Sequence, residues 1–137
     1  MKKLGESIPK APKFTWAEAL YLPSFNIHAI PNKEVIRNIK EFAPKVQAVR
    51  NLLGWPMLIT SWWRPKKYNV LIGGSRNSWH ITGGACDFRC PGVSADKIRE
   101  MLLPFLEDLG LRMENLPGSN WVHIDNKPTE GRRFFRP

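Results

Sequence analysis

The stretch Ser78-Trp79-His80-Ile81-Thr82-Gly83-Gly84-Ala85-Cys86-Asp87-Phe88 decides the reading of this 137-residue chain, together with Asn120-Trp121-Val122-His123-Ile124-Asp125 near its end. The chain has three histidines, and two of them stand in these segments. Side chains alternate across a strand, so Asp87 points away from Cys86 and Phe88. By the same parity His123 and Asp125 share one face of the last strand, while Val122 and Ile124 share the other. Each segment therefore turns polar side chains to a cleft and apolar ones to a core. A catalytic zinc takes about three N or O ligands and keeps one position open. His80, Asp87 and His123 supply that number from two loop-strand segments.

Outward from this centre, Met57-Leu58-Ile59-Thr60 reads as a strand, Ala85–Phe88 as a second, and Leu111–Glu114 with Trp121–Asp125 as a hairpin through the turn chemistry of Asn115-Leu116-Pro117-Gly118-Ser119. Between them Ser94 caps a helix with Ile98, Met101, Leu102, Phe105 and Leu109 inward, kinked at Pro104 and closed by Gly110. Arg64 to Asn69 is polar and turn-prone, and Gly73-Gly74-Ser75-Arg76-Asn77 is a glycine-rich loop. Upstream, Thr15-Trp16-Ala17-Glu18 fits a capping box, predicting a short helix over 16–21. Asn32 caps a run with apolar residues at Val35, Ile36, Ile39, Phe42, Val46, Val49, Leu52 and Leu53, which is helical spacing. Pro44 is expected to kink or split that helix, and Gly54 to close it. The fold expected is α+β: one domain over 1–137 with a small antiparallel sheet packed on several helices, residues 1–54 mainly helical and 57–125 carrying the motifs.

Composition narrows the function classes. Hydrophobic residues make up 42% of the chain, enough for one core. The formal net charge of +9 asks for an anionic partner. Nucleic acid is disfavoured, because Lys2, Lys3, Lys10, Lys13, Arg37, Lys66, Lys67, Arg132, Arg133 and Arg136 are spread over the chain and form no recognition element. No membrane span and no secretory signal can be read. Cys86 and Cys90 lie too close in sequence for an unstrained bridge and lack the second Cys or His pair of a zinc ribbon, so they read as buried, inert thiols. His28 has no chemical context and reads as structural, and Trp62, Trp63, Trp79 and Trp121 read as core or cleft wall.

The pattern Ser78-x-His80-x-x-Gly83-x-Ala85-x-Asp87, followed by Trp121-x-His123-x-Asp125, resembles the zinc D-Ala-D-Ala peptidase family. This is the VanY-like group, related to lysostaphin-type enzymes and the hedgehog domain. Ser61-x-x-Arg64-Pro65, Asn69 and Gly73-Gly74-x-x-Asn77-Ser78 resemble the segment preceding the first zinc ligand in its phage- and bacteria-associated branch. The resemblance spans about Leu58 to Asp125. It implies a hedgehog/DD-peptidase-like fold and a hydrolase that cuts peptidoglycan stem peptides, as carboxypeptidase or endopeptidase, with one zinc ion per chain on His80, Asp87 and His123. Arg64 falls at the family's cleft arginine, where a guanidinium clamps a substrate carboxylate or stabilises charge on the scissile carbonyl. Ser78 would orient the site, with Asn77 and Asn120 beside it or the substrate.

The general base departs from the pattern. Many members carry an acid three residues before the last histidine, and Asn120 stands there, which cannot accept a proton from a water nucleophile. Glu114 and Asp125 are the carboxylates that can substitute. Glu114, before the hairpin turn, is the favoured base, and Asp125 is a partner of the ligands or a buried acceptor. The expectation is a phage endolysin or virion-associated wall-degrading metallopeptidase, monomeric, made in the cytoplasm and acting at the wall after release. Its partners would be the peptidoglycan peptide, anionic envelope polymers and other virion proteins. The alternative is a non-catalytic zinc-binding structural or wall-binding component of a phage particle.

Overall fold

A computed structural model describes residues 3–137. Met1 and Lys2, where the expected N-terminal part begins, lie outside the described residues. In chain order the strands are β1 (Ser7–Ile8), β2 (Ala11–Thr15), β3 (Tyr21–Leu22), β4 (Ile27–His28), β5 (Leu58–Ser61), β6 (Ala85–Arg89), β7 (Arg112–Glu114), β8 (Val122–Asp125) and β9 (Phe134–Phe135). The α-helices are α1 (Trp16–Leu20), α2 (Lys33–Leu53), α3 (Lys66–Leu71), α4 (Ala95–Leu102) and α5 (Leu106–Leu109), with 3-10 turns over Trp79–Thr82 and Leu103–Phe105.

Five strands form the main sheet in the order β5-β6-β8-β7-β9, and β1-β2 and β3-β4 are separate hairpins. The register follows the alternation of the sequence. Asp87 stands opposite His123, Cys86 opposite Ile124 and Phe88 opposite Val122. Arg112 stands opposite Asp125 and Met113 opposite Ile124. Cys86, Phe88, Met113, Val122 and Ile124 are fully buried and share one core with Ile39, Phe42, Val46 and Val49 of α2 and Ile98 and Leu102 of α4. The opposite face keeps Asp87, His123, Asp125 and Arg112 together.

Several local expectations meet the structure. Thr15 and Glu18 make the full capping box of α1. Asn32 Oδ1 accepts from the Val35 amide at the start of α2, and Gly54 closes the helix with φ 74°. That helix is continuous through Pro44: the lost amide is one hydrogen bond, and the buried neighbours Phe42, Ala43 and Val46 hold the segment in register. Pro104 instead interrupts its helix, which passes through the 3-10 turn Leu103–Phe105 before α5.

Other elements differ from the sequence reading. The N-terminal part adds two short hairpins to the expected helices; β1, β3 and β4 have two residues each, and the five residues of β2 do not alternate between buried and exposed. Lys66–Leu71 is helical where a loop is expected, entered through Pro65. β9 adds to β7 in parallel, so the sheet is antiparallel except at this edge. Cys86 and Cys90 are buried free thiols, and burial pushes the Cys86 thiol well above its usual range.

Candidate metal centre

His80 sits in the 3-10 turn after Ser78, whose hydroxyl accepts from the His80 amide at 3.3 Å. Its Nδ1 lies 2.6 Å from the Trp62 carbonyl. A carbonyl only accepts, so Nδ1 carries a proton toward Trp62, and Nε2 faces Asp87 Oδ1 at 3.2 Å. His123 is set the opposite way. Its Nε2 lies 2.8 Å from Asp125 Oδ2 and its Nδ1 2.9 Å from Asp87 Oδ1. One ligand atom from each of His80, Asp87 and His123 falls within 4.8 Å of the others. The donor set suits zinc: two imidazole nitrogens, one carboxylate oxygen, and an acceptor behind each ring that fixes its orientation.

The electrostatics of the cluster follow from carboxylates and imidazoles held in contact. Burial opposes ionisation of Asp87, but hydrogen bonds and charge from His123 and His80 hold its carboxyl well below the usual carboxylate range. Burial likewise opposes the charged form of His123. The hydrogen bonds to Asp125 and Asp87 outweigh it and push the imidazole up to about 9. Asp125 is lowered against its own burial by His123 and Arg112.

Arg64 reaches the same carboxylate from the other side. Its Nη2 lies 3.3 Å from Asp87 Oδ2, while its Nε donates to Ser61 Oγ at 2.9 Å and its Nη1 lies 3.5 Å from Asn69 Oδ1. Asn69 is buried and donates to the Ser75 carbonyl at 2.7 Å. A Cβ on Gly74 would collide with the Asn69 amide, which explains a glycine there. The sequence motif of Ser61, Arg64, Asn69 and Gly74 is thus one assembly that aims a guanidinium at the cluster.

Asp125 is fully buried and is gripped by Arg112, whose Nε and Nη2 donate to Oδ1 and Oδ2 at 2.8 and 2.9 Å. The Arg112 guanidinium lies 3.9 Å from the centroid of the Phe135 ring, and that ring meets His123 edge-on at 6.1 Å. Glu114 lines the cleft of about 450 Å³ that also holds His80, Asp87 and His123. Among the described residues it has no ion-pair partner, since Arg112 is taken by Asp125. Asn77 and Ser78 line this cleft too. Asn120 does not; it lines an adjoining groove with Arg64, Asp87 and Trp121.

Sequence reasoning missed Arg112 and Phe135 as parts of the site. The hairpin register that sets Arg112 opposite Asp125 carried the signal for the first. Phe135 arrives on a two-residue strand whose place depends on the folded sheet. Lys127 and Arg136 also line the cleft, with Lys127 Nζ 5.8 Å from the Trp79 ring centroid.

A family model described as Peptidase M15 matches residues 18–125, about four fifths of the chain, including His80, Asp87, His123, Arg64, Arg112, Glu114 and Asp125 but not Lys127, Phe135 or Arg136. None of the curated proteins matches the chain.

Proposed function

We propose that the chain, which belongs to the peptidase M15 family, is a zinc-dependent hydrolase of the peptide stems of peptidoglycan, of D-Ala-D-Ala carboxypeptidase or endopeptidase type. The observation that carries this reading is the convergence of His80 Nε2, Asp87 Oδ1 and His123 Nδ1, with the outer nitrogen of each ring already committed to Trp62 or Asp125. These three residues would hold the ion. Zinc, when bound, supplies Lewis-acid polarisation of the scissile carbonyl and acidifies a water molecule.

The chain's own residues do the rest. Asp125 Oδ2 holds the Nε2 proton of His123, and the Arg112 fork keeps that carboxylate ionised and in place. Arg64, braced by Ser61, presents a fixed cation to a substrate carboxylate or to charge developing on the carbonyl oxygen. Glu114 lines the cleft without a cationic partner among the described residues and is the proposed proton acceptor. Asp125 is excluded from that role by its three hydrogen-bonding partners and its burial. Lys127 and Arg136 add positive charge to the cleft, which favours stem peptides rich in carboxylates. A role in phage lysis or in a virion is part of the same proposal, supported by the basic charge of a chain that meets an anionic wall.

Digestion of purified peptidoglycan by the zinc-loaded chain, with released peptides identified by mass spectrometry, tests the reading. Glu114→Gln is expected to lower the rate by about 10² or more while the metal is retained. Sedimentation with the wall without peptide release would instead identify a binding component.

A further inference from the structure

The strand β9 brings an aromatic ring to the metal centre from outside the residues that the family model matches. It pairs in parallel with β7, Met113 opposite Phe134 and Glu114 opposite Phe135. Facing residues of paired strands share a face of the sheet, and Arg112 and Glu114 are two apart on β7. Arg112, Glu114 and Phe135 therefore stand on the cleft side, and all three line the cleft. Met113 and Phe134 pack on the core side. Two backbone bonds hold the strand: the Met113 amide donates to the Arg133 carbonyl at 2.7 Å and the Asn115 amide to the Phe135 carbonyl at 2.6 Å.

The ring lands on the guanidinium that grips Asp125. Its centroid lies 3.9 Å from Arg112 Cζ, inside the range where a cation is drawn to an aromatic face. The same ring meets His123 edge-on, with centroids 6.1 Å apart. Arg112 and His123 are the two side chains bonded to the Asp125 carboxylate, so Phe135 lies against both partners of a group it does not itself touch through a hydrogen bond. The Arg112 side chain is 16% exposed and that of Asp125 is fully buried. A ring over one face of the guanidinium keeps water from that face and fixes the plane of the fork.

We propose that Phe135 is a positioning residue of the metal centre: by capping Arg112 it holds the Asp125 carboxylate against His123, and so keeps His123 Nδ1 aimed at the ligand cluster. The ring has no ligand atom and no proton to transfer, so it acts only through Arg112 and His123. A side chain without a π face would fill the space but not attract the cation, which separates this role from packing. The inference rests on the reading of His80, Asp87 and His123 as zinc ligands, and not on which bond is hydrolysed.

The test compares Phe135→Leu, which keeps apolar volume, with Phe135→Tyr, which keeps the ring. Zinc affinity, by competition with a chromophoric chelator, is expected to fall about threefold to tenfold in Phe135→Leu and to stay at the wild-type value in Phe135→Tyr. In the metal-free wild type, NMR is expected to find the Arg112 guanidinium protons shifted upfield by the ring current, a signature that needs no variant. Wild-type zinc affinity in Phe135→Leu would overturn the proposal, as would equal losses in both variants. So would Arg112 resonances without the ring-current shift, or a Phe135→Leu effect confined to melting temperature or to KM, which would mark packing or substrate contact. A wild-type chain that takes up no zinc would instead refute the ligand reading, and the Arg112 resonances would then decide whether Phe135 caps the guanidinium.

Discussion

His123 stands between two carboxylates, 2.9 Å from Asp87 and 2.8 Å from Asp125, and its chemistry follows from that position. In the metal-free protein the imidazolium is favoured up to about pH 9. Its folded value lies above the ordinary 6.5, so its contribution to stability is complete below about 6.5 and disappears as pH rises through about 9. Asp87 and Asp125, both lowered, contribute above the ordinary carboxylate value and lose that contribution as pH falls through their depressed folded values. Urea denaturation in chelator is therefore expected to show stability declining on the alkaline side between about 6.5 and 9. A metal ligand must also shed its proton. Calorimetry of zinc binding near pH 7.5, in buffers of different ionisation enthalpy, is expected to report release of about one proton. Asp125→Asn removes the charge that Arg112 and His123 both use. It is expected to weaken zinc binding by about 10- to 100-fold and to cost about 3 kcal/mol of stability, measured by metal titration and by denaturation.

At the scale of elements, the turn Trp79–Thr82 is tied to the rest of the fold through tryptophans. Trp62 Nε1 donates to the Gly83 carbonyl at 2.9 Å, Trp63 Nε1 to the Ile81 carbonyl at 3.1 Å, and Trp79 Nε1 to Asn126 Oδ1 at 2.8 Å. A Cβ on Gly84 would collide with that last pair. Gly84→Ala is expected to cost about 1–3 kcal/mol and to weaken metal binding, because the displaced ring belongs to the turn that carries His80; thermal melting and zinc titration check both. These bonds also mark what the sequence could convey. Asp87 and His123 lie on strands whose period of two is visible in Ala85–Phe88 and Val122–Asp125, but their register is set by the pairing of β6 with the distant β8, whereas the hairpin fixes Arg112 against Asp125. The ends of α2 were legible because Asn32 and Gly54 act locally. The support behind the ligands was not, since the Trp62 carbonyl, Arg112 and Phe135 reach the site through the folded sheet. β9 is two residues long and pairs in parallel with a distant strand, an arrangement without local pattern. α3 was hidden by a polar, proline-led sequence that becomes helical over six residues.

At the scale of the whole molecule, one face of the sheet is core and the other carries the chemistry, which is how a chain of this size builds both from five short strands. The net charge of +9 lies outside the ligand set and acts over distance on anionic partners. Retention on cell-wall polymers is accordingly expected to fall as ionic strength rises, with half or more lost between 0.05 and roughly 0.5 M salt, measured by wall sedimentation. The central claim is that His80, Asp87 and His123 hold a zinc ion on which peptide hydrolysis depends. The most direct test is to strip the protein with chelator, return zinc stepwise, and follow peptide release from peptidoglycan. The account predicts negligible release from the stripped protein, full release at one zinc per chain, and none from His123→Ala at the same zinc level. Undiminished hydrolysis by the stripped protein, or by His123→Ala, would contradict it.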